Sequence, residues 1–595
     1  MKDRDIFMYW DLKRNDASAL FTEDTLRLCD KAVRELEAKK QALTEVLFLK
    51  DAREDIYGGL AGVHISHGIR EKDALSHLEK VGQWFEIPHP NGRDHKGECD
   101  FTARRLIRVL YTLDKSLSPD LLKTLQAFYT KHDFRSMYDS ENHRLLYHTA
   151  KYLFAQRYPE LQFEWCGLAG FDAVPEEEAY IKEFLRFRAC HGWAEFDSCG
   201  YMSEIFACLY DLYDFAMDEE MRLLSRMTMD VLLLDMVSDS WEGLYGGAHG
   251  RIYPNSALDH ASDGTLGLYY LYFGHPYTDI SKSHYPIEAL FSAYRPSAVV
   301  YEIALGRSNA AYENLECGHL HLIPPFPRHD GYISKYTYVT PRYLLGAVNS
   351  QDDYPKNAEA RWYAHHQQHE WDLTFLGHTR ARIFTHHPGT EPHSAHNEWT
   401  GDLGCGCVQT FCHKNAVLAV YDIAHGQNNS REDGKKQLEH IHAYVPKEVF
   451  DRVEELGSWL FVSFRGTHAG LWFSEGYSWA LGENAGFEVL SFGARHACVC
   501  EASNEGESFE SFVSRVTTNP IAFNPSKMSL SYESGGKSLY MEARIRRVDG
   551  IDQRFPYPLF ESPYVISDLG SGVITANGLT GQAVYDFIRP KRPIG

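Results

Sequence analysis

Six side chains able to move protons or hold anions sit at helix starts and glycine-rich loops, away from the apolar stripes: Asn142 and His143, Glu195, Tyr201, and His249 with Arg251. An amide such as Asn142, with a nearby imidazole or guanidinium, can hydrogen-bond a carboxylate and offset its charge, and a phenol has a proton to give. That set suits proton transfer beside a bound carboxylate. Each residue also has a plainer reading. Asn142 suits a helix cap, Tyr201 a half-buried place on a helical seam, and His249 and Arg251 can tie down a loop through its carbonyls.

The stretch from Trp193 to Tyr253 must position most of them. Ile205, Leu209, Leu212, Tyr213 and Ala216 recur at helical spacing, and Leu224, Met227, Val231 and Leu234 do so again after a polar break, which predicts a helical hairpin with a buried seam. Glu195, Asp197, Ser198 and Tyr201 crowd its start, while Gly246, Gly247, His249, Gly250 and Arg251 follow its end. Glycines there predict tight turns and a close approach to a ligand, with both ends forming the rim of one cleft.

Around this hairpin the first half reads as helices in antiparallel pairs, over residues 24–49, 71–83, 101–114, 119–130, 145–158, 175–189, 263–272 and 287–305. No repeat of the ~34-residue kind is visible, which favours a closed double layer of helices over an open solenoid. From Tyr332 onward short alternating segments such as YISKYTYV and WLFVSF, with glycine turns between them, predict an antiparallel β-sandwich, with one short helix over 447–455. The fold class expected is α+β and multidomain: an N-terminal (α/α) toroid over residues 1–325 and a C-terminal antiparallel β-sandwich over 326–595.

Three patches on this layout resemble the heparinase II/III-like and oligoalginate lyases: Asn142-His143 ahead of the helix from Leu145, Tyr201 in the Asp197-Ser198-x-x-Tyr201 start, and the His249-Gly250-Arg251 loop. The resemblance implies a polysaccharide lyase that cleaves uronate-containing glycans by β-elimination, removing the proton at C5 and protonating the departing glycosidic oxygen. Carried onto these positions, Asn142 neutralises the substrate carboxylate, His143 neutralises it or acts as base, Tyr201 is the acid or both acid and base, and Arg251 grips a carboxylate through its two-pronged fork. The family pattern also includes a His or Tyr from the sandwich, for which His369 comes first and Tyr338 second. Glu195, His249, Gln368 and Trp371 join as substrate contacts. No cofactor is required. The loop holding His393, His396, Glu398 and Asp402 can hold a structural zinc or calcium ion or be a solvated surface. Cys405/Cys407 and Cys498/Cys500 are spaced more tightly than structural zinc usually asks and read as strand residues.

A chain of 595 residues with 44% hydrophobic content can bury more than one core. Its net charge of −22 argues against non-specific binding to nucleic acid or an anionic membrane, although Arg251, the histidines, Arg342 and Arg361 can make a cleft locally positive. No run of about 18 apolar residues appears, the amino terminus lacks the apolar centre of a secretory signal, and the twelve cysteines are scattered as reduced thiols. These features point to the cytoplasm, and so to exo-action on short imported uronate oligosaccharides, with a homo-oligomer left open. Two other classes stay in view. A glycoside hydrolase needs two carboxylates ~5–10 Å apart, drawn from Glu195, Asp197, Asp263, Glu398 and Asp402. A non-catalytic carbohydrate-binding protein needs none. No phosphate-binding loop, dinucleotide fingerprint or nucleophile elbow is present.

Overall fold

Helices form where apolar residues recur every three to four positions and stop where a cap or a proline ends the pattern. In the computed structural model, residues 23–87, 98–136, 140–274, 286–319, 331–351, 368–389, 399–400, 407–425 and 438–590 are described. The helices are α1 (Glu23–Leu49), α2 (Gly59–Ser66), α3 (Glu71–Gly82), α4 (Cys99–Leu113), α5 (Pro119–Lys131), α6 (Glu141–Arg157), α7 (Gly170–His191), α8 (Tyr201–Phe215), α9 (Glu219–Ser238), α10 (Gly264–Phe273) and α11 (Ala298–Gly306). Ser118, Ser140 and Asp218 accept backbone N–H groups at the starts of α5, α6 and α9. The single helix expected over 287–305 is split into Glu288–Phe291 and α11. Pro296 lies between them, and a proline both lacks an N–H and steers the preceding residue out of helical geometry.

Helix α1 packs against α10 and α11, so the helical layer closes on itself. Helix α6 lies at its centre, touching α4, α7 and α8, and every residue from Glu141 to Ala155 is buried. Its charges survive burial because each finds a partner: Glu141 meets Arg188, and His148 and Lys151 share Glu177.

The β half follows at once. Strands β1 (Tyr312–His319), β2 (Tyr332–Val339), β3 (Tyr343–Gln351), β4 (Trp371–Phe375) and β5 (Arg382–His386) form the middle of a twelve-stranded antiparallel sheet. It continues through His440–Tyr444 on one side, and on the other through the last four strands, from Phe560–Glu561 to Gln582–Asp586. A six-stranded sheet from Val408–His413 to Arg495–Ala502 faces it, and Cys498 and Cys500 lie in the apolar layer between the two. A third sheet of five strands spans residues 521–552. The architecture is thus an N-terminal helical toroid and a C-terminal antiparallel β-sandwich. The final strands turn back onto the helices, where the Tyr585 hydroxyl donates to Asp230 of α9.

The helix expected over 447–455 does not form. Arg452–Leu456 is an edge strand of the six-stranded sheet, paired with Trp459–Phe464. The strand-forming run WLFVSF, entered by a turn with Gly457 at φ +62°, recruits its neighbour and overrides the helix preference of Glu454 and Glu455. Exposed glutamates on that edge also discourage pairing with another chain. Among the described residues of this half, the α-helix is Phe509–Thr518, capped by Ser508.

Candidate functional site

Three helix starts meet at one place. Asp100 stands in the first turn of α4, Asn142 and His143 in the first turn of α6, and Tyr201 opens α8. Unpaired N–H groups leave the beginning of a helix partly positive, which favours an anion. The side chains form a connected set. His143 Nδ1 and Asp100 Oδ2 are 2.6 Å apart. Asn142 Nδ2 donates to Glu195 Oε2 at 2.7 Å, and Arg251 Nη1 donates to Glu195 Oε1 at 2.7 Å. Arg251 Nη2 then donates to the hydroxyl oxygens of Tyr201 at 3.0 Å and Tyr253 at 3.3 Å, and those two hydroxyls lie 2.5 Å apart. The guanidinium also stacks on the Tyr201 ring, 4.3 Å from its centre. Glu141 holds the loop in place by accepting the backbone N–H groups of Ala194 and Glu195.

Asn142, His143, Glu195 and Arg251 are buried, whereas Tyr201 and Tyr253 are half-buried and carry the set toward solvent. Burial opposes a charge on His143, yet the Asp100 carboxylate outweighs it and raises the imidazole above its ordinary 6.5. Among the described residues the His143 ring is hydrogen-bonded at Nδ1 to Asp100, and no partner is found for Nε2. Burial pushes the Tyr201 phenol well above 10, with Arg251 pulling it back and Tyr253 adding to the rise. Tyr201 therefore rests as a proton-bearing phenol. The Asn142 amide departs from expectation, because one of its N–H groups is engaged by Glu195. What it leaves buried without a partner is the acceptor Oδ1.

No protein-family model matches this sequence, and no curated protein matches it either. Among solved structures, the chain is similar to the Streptomyces coelicolor A3 chondroitin AC lyase in complex with chondroitin sulphate, at TM-score 0.42 and 10% identity, over 95% of this chain and 90% of that one. A tyrosine-to-alanine mutant of the same lyase aligns at TM-score 0.35 and 9% identity, over 95% and 89% of the two chains.

Other side chains expected to serve the site lie elsewhere. His249 is fully enclosed, with Nδ1 on Asp197 O at 2.8 Å and Nε2 on Tyr245 O at 3.2 Å. Its backbone pairs with that of His369, whose ring is equally enclosed against His386 at 2.7 Å and Asp372 at 3.2 Å. Burial depresses both imidazoles, to about 3 for His249 and about 4 for His369, so each stays neutral and ties the toroid to the sheet. Gln368 is buried just ahead of β4. Trp371, expected to touch substrate, is instead held between the two large sheets with Nε1 donating to Thr385. Tyr338 is half-buried on β2, one residue from Thr337 and therefore on the opposite face of the strand. It lines a separate hollow with Arg342, Lys414 and Asn504. His393, His396, Glu398 and Asp402 lie outside the described residues.

The glycine loop serves a different purpose from the one its composition suggests. A Cβ on Gly246 would lie 2.7 Å from the Leu344 side chain, and one on Gly250 would lie 3.0 Å from the Phe196 backbone. The glycines therefore let the loop press against β3 and the 195–197 turn, and this contact aims Arg251 at Glu195.

Beneath that turn sits a second polar cluster. Asp197, Asp235, Asp239 and Glu316 bring ligand-type oxygens within 4.8 Å of one another, and the Lys335 amine stands among them, 2.8 Å from Glu316 and in contact with Asp197 and Asp239. Burial raises Asp235 to about 7 and Asp239 to about 8, pushes the Lys335 amine well below its ordinary range, and leaves Asp235 sharing a hydrogen bond with Glu316, so shared protons limit the charge the cluster carries. It fastens the turn bearing Glu195 to α9, β1 and β2.

Asp100, Tyr253 and Lys335 were missed as site residues in the sequence. Tyr253 carried the one usable signal, its place two residues beyond Arg251 in the same glycine-rich loop.

Proposed function

We propose that this protein is a polysaccharide lyase that cleaves uronate-containing glycans by β-elimination. The observation that carries the reading is the Tyr201 hydroxyl, bonded at once to the Arg251 guanidinium and the Tyr253 hydroxyl at the meeting point of three helix starts. In the reaction the C5–H and C4–O bonds break and a C4=C5 double bond forms. His143, whose imidazole Asp100 biases toward its protonated form, offsets the substrate carboxylate while negative charge develops on it. Asn142 holds Glu195, and through it Arg251, in position beside the substrate. Tyr201 donates its proton to the departing glycosidic oxygen, with the Arg251 guanidinium balancing the charge left on the phenolic oxygen. The hydroxyl pair acts as one relay: as Tyr201 gives its proton to the glycosidic oxygen it takes the Tyr253 proton, and the Tyr253 oxygen takes the proton from C5 in the same step, so the pair ends with the protons it began with.

The carboxylates favour elimination over hydrolysis. Glu195 is engaged by Arg251 and Asn142, Asp197 by Lys335 and Tyr245, and Asp263 by His260, so among the described members of the hydrolase set none is an open acid beside an open base, while Glu398 and Asp402 lie outside the described residues. Exo-action on short oligosaccharides and a cytoplasmic setting belong to the same proposal. Among the described residues no helix is long and apolar enough to cross a membrane. The test is a panel of uronate oligosaccharides followed by ultraviolet absorbance. An unsaturated uronate product supports the lyase, whereas new reducing ends without that absorbance overturn it in favour of a hydrolase.

A further inference from the structure

The toroid holds a cavity of about 950 Å³ that the reaction above does not use. Its walls come from α1, α2, α4, the end of α8 and residues 287–295. It reaches Tyr111, Thr112, Asp214 and Phe215 at the C-terminal ends of α4 and α8, whereas the candidate active site lies at their N-terminal ends. Tyr201 and Asp214 are thirteen residues apart on α8, about 20 Å, while the wall residue Arg105 is five residues along α4 from Asp100, about 7.5 Å, so the cavity runs away from the candidate site from that point. Val63, Val109, Phe215, Leu290 and Phe291 make much of the lining apolar.

The charges at its edge are unevenly matched. Glu288 pairs with Arg104 at 2.6 Å, Asp214 with Arg108 at 2.6 Å, and Glu37 with Arg295. Lys40 differs from these. Its side chain is buried, its hydrogen bond runs to the Ser292 carbonyl oxygen at 2.8 Å, and no carboxylate lies within ion-pair distance of it among the described residues. Two of its three N–H donors are thus uncommitted. Arg105, also in the wall, pairs with Glu204 at 3.0 Å and keeps Nη1 buried without a partner. Glu37 and Asp214 favour the Lys40 charge from beyond ion-pair distance, while Arg295 and Arg108 oppose it, so the buried amine lacks a direct ion partner, and an apolar chamber with a few convergent polar groups is the usual form of a small-molecule site.

We propose that this cavity binds a medium-chain amphipathic carboxylate, with the acid head on Lys40 and the apolar body between Val63, Val109 and Phe291. The wall from Arg105 to Thr112 is seven residues of helix, about 10 Å, which matches a chain of roughly eight to ten carbons. Burial lowers Lys40 to about 7, and a bound carboxylate restores its charge.

Isothermal titration calorimetry of the full chain with decanoate and with 1-decanol tests this. It reads binding, so its outcome is independent of whether any glycan is cleaved. Decanoate is expected to bind at least ten-fold more tightly than decanol, and Lys40→Met to abolish that preference while keeping decanol affinity. Val33→Trp, which fills the chamber from α1, is expected to weaken both ligands and covers the case in which Lys40→Met does not fold. Equal binding of the two ligands by the unaltered protein, unchanged decanoate affinity in Lys40→Met, or no decanoate binding below its micelle-forming concentration overturns the proposal.

Discussion

Tyr201→Phe separates the phenol's chemistry from its packing. The phenylalanine ring keeps its place under the Arg251 guanidinium, which lies 4.3 Å from the ring centre. Two hydrogen bonds disappear, the 2.5 Å contact with Tyr253 and the 3.0 Å bond from Arg251. At ~0.5–1.5 kcal/mol each, the fold loses roughly 1–3 kcal/mol. Arg251 retains Glu195 at 2.7 Å and Tyr253 at 3.3 Å, so the loop stays in register. Loss of the proton source is worth far more to the reaction, about 10²–10⁴ in turnover, or ~3–5.5 kcal/mol at the transition state. Tyr253→Phe removes the second oxygen of the hydroxyl pair that takes up the C5 proton, so its turnover should fall by a comparable factor. Initial rates by ultraviolet absorbance, run beside urea unfolding curves, measure both quantities. If Tyr201→Phe turns over within about ten-fold of the unaltered protein, the role of the phenol is wrong.

Three further outcomes are expected. His143 is raised by Asp100, so its cation, and the stability it adds, is fully present below 6.5 and is lost as pH rises through the folded value. Turnover should fall over that same alkaline limb, and Asp100→Asn should move the limb to lower pH, with a pH–rate profile unmoved by that change counting against the pairing. His249 is held at about 3 against 6.5 when unfolded, so its contribution is complete above 6.5 and is lost as pH falls toward 3, amounting to about 5 kcal/mol, an effect visible as a falling urea midpoint. Gly192 ends α7 at φ +76°, and a Cβ there would lie 2.2 Å from the Cys317 carbonyl oxygen of β1. Gly192→Ala should therefore cost at least about 2–4 kcal/mol, combining left-handed strain with overpacking, and an unchanged unfolding midpoint would show the seam to be looser than described.

The amino-acid order alone determined the broad plan. Three- and four-residue apolar spacing specified the helices, strict alternation specified the strands, and the switch between them divided the chain into a toroid and a sandwich. It also marked Asn142, His143, Tyr201 and Arg251, because polar groups at helix starts and glycine turns stand out from the apolar stripes. Tertiary structure decided what those groups face. Asp100 lies 43 positions from His143, and Tyr253 lies 52 from Tyr201. Only folding brings such partners together, since periodicity reports which side of an element is buried and says nothing of which distant side chain meets it there. The same limit explains why His249 and His369 turned inward as neutral ties between the two halves, and why the glycine loop met strand β3. Helix 447–455 failed for a related reason, as the strand beside it offered hydrogen bonds that local preference could not match.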